Sequence, residues 1–179
     1  MNSNLIRIKA LAGLIPSGEI ECEVKAQLAY FADSGLRLSH VDSHGHIHKM
    51  GPFPAAIAKA LVHFGISRVR AVQNIFVKNP YFSPTFWLGS YWGRKVHKHF
   101  VTTGYFFMMR DHNNLGWLEE DSPWFQELVK QCKGGVLEAG FHPGAKEEWR
   151  NVEREAVGRF AREAARNNVA LMNWNDLEA

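Results

Sequence analysis

The sequence predicts an α/β fold of parallel strands and outer helices, a TIM-like (β/α) barrel or part of one. Three observations carry this. Helical and strand-like segments alternate along the chain, the order that builds a parallel sheet with helices outside it. Polar clusters follow the strand-like runs directly, at the ends where α/β folds place their sites. The 179 residues are 46% hydrophobic and 22% charged, the balance of a chain that packs a core.

The elements follow in order. A first helix is expected over residues 18–34, with Ser17 as its cap and Ile20, Val24, Leu28 and Phe31 on one stripe. Gly35 stands where that helix would stop. A strand is expected over 36–41, leading into a histidine-rich stretch. Pro52 and Pro54 open a second helix over 54–64, Gly65 ends it, and 67–72 reads as the next strand. Ser83 and Pro84 suit a cap and first turn, and Leu88, Trp92, Val96 and Phe100 then recur every four residues, a third helix despite Gly89 and Gly93. Residues 135–141 read as a strand ending in the turn His142-Pro-Gly144. A last helix covers 147–166, with Val152, Ala156, Phe160 and Ala164 on one face, and 169–172 reads as a closing strand.

Several function classes are excluded. A net charge of +3, scattered along the chain, is no nucleic-acid footprint. Cys22 and Cys132 form neither a disulfide framework nor a metal pair, which fits a reducing compartment. No apolar run approaches the ~20 residues that span a bilayer. Residues 1–13 lack the apolar core and cleavage site of a signal peptide. A cytoplasmic location is therefore expected.

The composition holds nine histidines. Three of them fall in Asp42-Ser-His44-Gly-His46-Ile-His48, where a spacing of two points side chains to one side of an extended strand. Neutral imidazole is the commonest metal ligand, and a nearby carboxylate can ligate or orient it. Gly45 leaves room for a metal or substrate. His40 and His48 are expected in supporting or surface positions. A second constellation, Glu138-Ala-Gly-Phe-His142-Pro-Gly144, puts a histidine at a strand end, where it could act as general acid or bind substrate.

These residues resemble the YdjC-like carbohydrate deacetylases. The run from Leu38 through Asp42-Ser-His44-Gly-His46-Ile-His48 is similar to that family's hallmark. Residues 23–35 resemble the helix before it, and Gly65-Ile-Ser-Arg-Val-Arg70 resembles a strand ending in arginine. Glu138 to Gly144 resembles the late Glu-x-x-x-His-Pro-Gly signature. The resemblance runs from about Ile20 to Leu177. It implies a TIM-like barrel that removes acetyl groups from N-acetylated sugars with a divalent metal, magnesium or zinc. It further implies that His44 is a metal ligand, that His142 belongs to the catalytic pocket, and that Arg70 binds substrate or holds the pocket carboxylates.

The chain also departs from that family. Members begin with a strand ending in Asn-Ala-Asp-Asp-Phe-Gly, whose aspartates supply a base and a metal ligand. This sequence has no Asp-Asp pair and no histidine before His40. Residues 1–179 thus read as a single deacetylase-like barrel domain, N-terminally incomplete, against the roughly 250 residues of a typical barrel. His46, or in its place His48, is then expected to join His44 on the metal, and Asp42 to serve as the base. Two other readings fit the same residues. One is a non-catalytic remnant or partner subunit with a metal-binding cluster. The other is an amidohydrolase-type enzyme, whose first strand carries a similar Asp-x-His-x-His.

The expected partners are an N-acetylated sugar or sugar-lipid and a second copy of the chain, which would cover exposed strand edges. Nucleic acid and membrane are not expected. Half of the aromatic residues lie between Phe76 and Phe107. Among them Tyr81, Phe86, Trp87, Tyr91 and Trp92 could stack on sugar rings, although packing on the sheet layer is the simpler role. His63, His97, His99 and His112 read as surface or capping residues.

Overall fold

The computed structural model describes residues 3–76, 84–109 and 124–177, with six α-helices and one parallel two-stranded sheet among them. The chain is mixed α/β and mostly helical. Helix α1 (Ser3–Leu11) and helix α2 (Ser17–Asp33) precede a 3₁₀ segment, His44–Lys49, and helix α3 (Phe53–Val62). Helix α4 (Pro84–His99) leads to strand β1 (Tyr105–Met108), helix α5 (Trp124–Cys132) leads to strand β2 (Leu137–Gly140), and helix α6 (Glu148–Arg166) follows. A short 3₁₀ turn, Trp174–Asp176, ends the described chain.

The helices read from apolar spacing are present. In α2, Ile20 and Leu28 are buried as the stripe requires, but Phe31 is exposed. Its N-cap is Pro16 in extended conformation, with no side-chain cap bond, so Ser17 lies inside the first turn instead of capping it. In α4, Trp92 and Val96 face the core, joined by Phe100 just beyond the helix end, while Leu88 is exposed. Ser83, Tyr81, His112 and the side chain of Phe86 lie outside the described residues. No helix among the described residues is long and apolar enough to cross a membrane.

The strands differ from expectation. Residues 36–41 and 67–72 form no strands, only isolated parallel bridges, Val41 with Val69 and Arg68 with Val101. Val41 N–H donates to the Arg68 carbonyl and Arg70 N–H to the Val41 carbonyl, both at 3.0 Å. On the other side of this segment Val69 N–H donates to the Val101 carbonyl at 3.0 Å. β1 then pairs with β2 in parallel, Tyr105 opposite Leu137 through Met108 opposite Gly140. The bridged segments thus lie side by side in chain order, and among the described residues this ladder is open. Before Val41 the chain is only partly packed: Leu36 is 59% exposed, while Leu38 rests against the larger core.

The closing strand over 169–172 does not form. Val169 N–H returns to the Ala164 carbonyl at 2.9 Å, and Leu171 and Met172 are 65% and 47% exposed. A cavity of about 700 Å³, lined by Leu137, Ala139, Phe141, Val169 and Leu171, separates this segment from β2. Its far end is anchored elsewhere. Arg68 donates from Nε and Nη2 to the Leu177 carbonyl at 3.1 and 2.9 Å, and Trp174 stacks on His40 at 4.4 Å.

β1 separates two layers, because successive side chains on a strand point to opposite faces. Phe107 packs with Trp124, Phe125 and Leu128 of α5 and Ala156 and Ala164 of α6. Phe106 and Met108 face the other way, onto Ala71. A second, larger core joins Ile20, Leu28, Phe53, Ile57 and Leu61 to Val69, Trp92, Val96 and Phe100. The face that carries Phe106 is where the polar residues gather.

Candidate metal centre and its histidine neighbours

Asp42 follows the bridged Val41, so the sheet sets its position. The chain then coils. Gly45 has φ 63° and His46 φ 55°, both left-handed, inside the 3₁₀ segment. A non-glycine residue in that region carries a cost of order 1–3 kcal/mol that surrounding structure must offset. Part of that support comes from α1: Arg7 Nη2 donates to the Gly45 carbonyl at 3.0 Å, and a Cβ on Gly45 would lie 2.8 Å from the same Nη2.

This turn overturns the expected extended strand. With the period of two broken, the three histidines no longer share a side. His44 is exposed, His46 is half-buried and His48 is fully buried. One ligand atom each of Asp42, His46 and His48 lie within 4.8 Å of one another. Of the two expected metal residues, His46 belongs to this group and His44 does not. His48, expected in a supporting or surface position, is its most buried member.

The surrounding bonds give each group a definite chemistry. Asp42 Oδ1 accepts from Ser43 N–H at 2.7 Å and lies 4.0 Å from His46 Nδ1 and 3.9 Å from His48 Nδ1. Its other oxygen takes Arg70 Nη1, and Arg70 Nε donates to Glu138 Oε1 at 2.6 Å. One guanidinium thus holds two carboxylates, its fixed fork suited to the task. The Arg70 guanidinium lies 5.1 Å from the Phe106 ring centroid, and His46 lies 5.9 Å from the same ring. Glu138 is opposite Phe106 in the parallel register, which puts its carboxylate on this face.

Burial sets the protonation states. It pushes His48 down to about 4, with Asp42 pulling the other way, so the ring is neutral near pH 7 and able to ligate. Burial also pushes the Glu138 carboxyl up, against the pull of Arg70. His40 is lowered by burial as well, with Ser39 Oγ 2.9 Å from its Nδ1.

The donor set fits a divalent metal. Two imidazoles and one carboxylate make the three-ligand pattern of catalytic zinc. Among the described residues His48 Nε2 is buried with no hydrogen-bond partner, while Nδ1 lies 2.8 Å from Ser43 Oγ, the kind of oxygen that orients a ligating histidine.

His142 follows β2 by two residues. Its main-chain N–H donates to Glu153 Oε2 from α6, and its Nδ1 lies 3.3 Å from the same oxygen. The His142 side chain is 47% exposed, whereas the Glu153 side chain is 1% exposed. Trp149 meets the ring edge-on at 6.1 Å. Glu153 was not among the residues singled out from the sequence. Its signal was legible: it stands three residues before Ala156, an acidic residue on the apolar stripe of α6. The aromatic residues proposed for sugar stacking divide, with Trp87 and Tyr91 exposed and Trp92 buried.

The sequence model of one protein family, described as YdjC-like protein, matches residues 3–172. A carbohydrate deacetylase of Oceanobacillus iheyensis is 40% identical over 48 residues, 27% of this chain and 21% of that protein. A carbohydrate deacetylase of Brevibacillus brevis is 57% identical over 30 residues, 17% of this chain and 12% of that protein. The matched stretches therefore cover less than a quarter of either relative. No solved structure matches the chain at a significant level.

Proposed function

From the premise that the chain belongs to the YdjC-like protein family, we propose that it is a metal-dependent hydrolase removing acetyl groups from N-acetylated carbohydrates. The observation that carries this reading is the Asp42–His46–His48 group beside the Arg70 bridge. The two relatives named as carbohydrate deacetylases support the substrate class. The parallel segments lying in chain order support a TIM-like (β/α) barrel plan.

Asp42, His46 and His48 would hold the metal, magnesium or zinc. When bound, it would polarise the acetamide carbonyl and lower the pKa of water. The rest is the work of the chain. Burial keeps His48 neutral, and Ser43 fixes its ring. Arg70 occupies one Asp42 oxygen, which leaves the other facing the two imidazoles. Asp42, held by Arg70 and the metal, leaves the base role to Glu138, which takes up the proton of water, burial raising its proton affinity. His142 gives a proton to the departing amine. Arg70 and the exposed aromatic residues Trp87 and Tyr91 contact the sugar.

Release of acetate from a chitobiose-like substrate, with and without added zinc or magnesium, tests this. The expected result is metal-dependent release abolished by His48→Ala. Absence of release with every divalent metal, or release unchanged in His48→Ala, overturns it.

A further inference from the structure

We infer that Glu153 is a positioning residue for His142: it fixes the ring as the Nδ1–H tautomer and turns Nε2 toward the site. Glu153 comes from α6, outside both histidine motifs, and is fully buried. A buried carboxylate is costly unless it is paired. Here Oε2 takes the His142 main-chain N–H and lies 3.3 Å from the ring Nδ1 of the same residue.

A carboxylate oxygen that already takes a main-chain N–H is an acceptor, so the ring nitrogen joins it only as a donor. That places a proton on Nδ1. Nε2 then carries the lone pair, on a side chain 47% exposed. The ring enters the deacetylation step with protons on both nitrogens, the second taken from solvent at Nε2; the amide C–N bond breaks, the Nε2–H bond breaks with it, and a new N–H bond forms on the departing amine. The Nδ1 proton stays on its bond to Glu153, and the ring is left as the neutral Nδ1–H tautomer. This kinetic role rests on the function proposed above; the tautomer does not.

Two-bond ¹H–¹⁵N spectra of the ¹⁵N-labelled protein, taken where the ring is neutral, read the tautomer directly. The expected result is a predominant Nδ1–H form in the native chain. In Glu153→Leu, which removes the acceptor beside the ring, the Nδ1–H form becomes the minor one. kcat for acetate release is expected to fall roughly 10- to 100-fold, with KM changed less than about threefold. A native chain with predominant Nε2–H, or a folded Glu153→Leu with the tautomer unchanged, overturns the inference. Should Glu153→Leu not fold, the native spectrum alone decides. A predominant Nδ1–H form in a chain that releases no acetate leaves Glu153 in this role and overturns the deacetylase reading instead.

Discussion

His48 and His142 show two ways of giving an imidazole a task. His48 lies in the N-terminal half on a coiled turn, fully buried, and burial lowers it to about 4. His142 lies in the C-terminal half on a half-exposed loop, and a buried acid from another element reaches out to it. Burial leaves His48 a neutral ring, the form a metal would need. The carboxylate beside His142 Nδ1 would, on the inference above, hold one proton in place. Oxygen partners repeat the contrast: a neutral hydroxyl, Ser43 Oγ, stands beside His48, and the carboxylate of Glu153 stands beside His142.

The sharpest way to break this contrast is to exchange the roles. His48→Ala is expected to weaken zinc binding by more than about 100-fold, beyond the loss of a group that merely supports a ligand. His142→Ala should leave zinc affinity within about threefold. Titration calorimetry on both variants decides, and equal losses would erase the distinction.

Acid separates the two histidines next. The folded pKa of His48 lies below its unfolded value, so between about 4 and 6.5 the unfolded chain binds more protons. Its contribution is complete above 6.5 and is lost as pH falls to about 4, a loss of roughly 3 kcal/mol. Glu138 runs the other way: its folded value is raised, so its contribution is lost as pH rises through that value. Urea unfolding across this range should show the His48 slope in the native protein and in His142→Gln, and a flattened slope in His48→Gln.

Smaller changes test the supports. Ser43→Ala removes the hydroxyl beside His48 Nδ1 and should weaken zinc about 10-fold, with no change in the His142 tautomer. Gly45→Ala forces a side chain into φ 63° beside Arg7, at a cost of about 1 kcal/mol in urea unfolding. A variant as stable as the native chain would show that the left-handed turn is not held by glycine.

Much of the helical framework was legible, because spacings of three and four define a stripe whatever lies opposite. Ile20 and Leu28, and Ala156 and Ala164, are buried as their spacing requires. The strands were less legible. Residues 36–41 and 169–172 have strand-like composition, but a strand exists only with a partner, and partners are non-local. β1 was not read from the aromatic-rich middle of the chain, where apolar residues are too dense to show one period; α5 lies beyond that stretch, and its Trp124, Phe125, Leu128 and Cys132 do recur at helical spacing. Within the site, Arg70 joining the two motifs through Asp42 and Glu138 is a contact over 68 residues to Glu138 that no spacing reveals.

The sequence by itself determined the family, the helices and the chemical inventory: imidazoles and carboxylates in two motifs 96 or so residues apart along the chain, estimated from the numbering. Only the tertiary structure decided which of them meet. The left-handed turn at Gly45 and His46 sends His44 outward and His48 inward, and its support comes from Arg7 on another helix. The partner of His142 is Glu153, brought in by the packing of α6 against β1 and α5. Residue types set what a side chain can do. Burial and neighbours set its protonation and its direction, and both are properties of the folded chain.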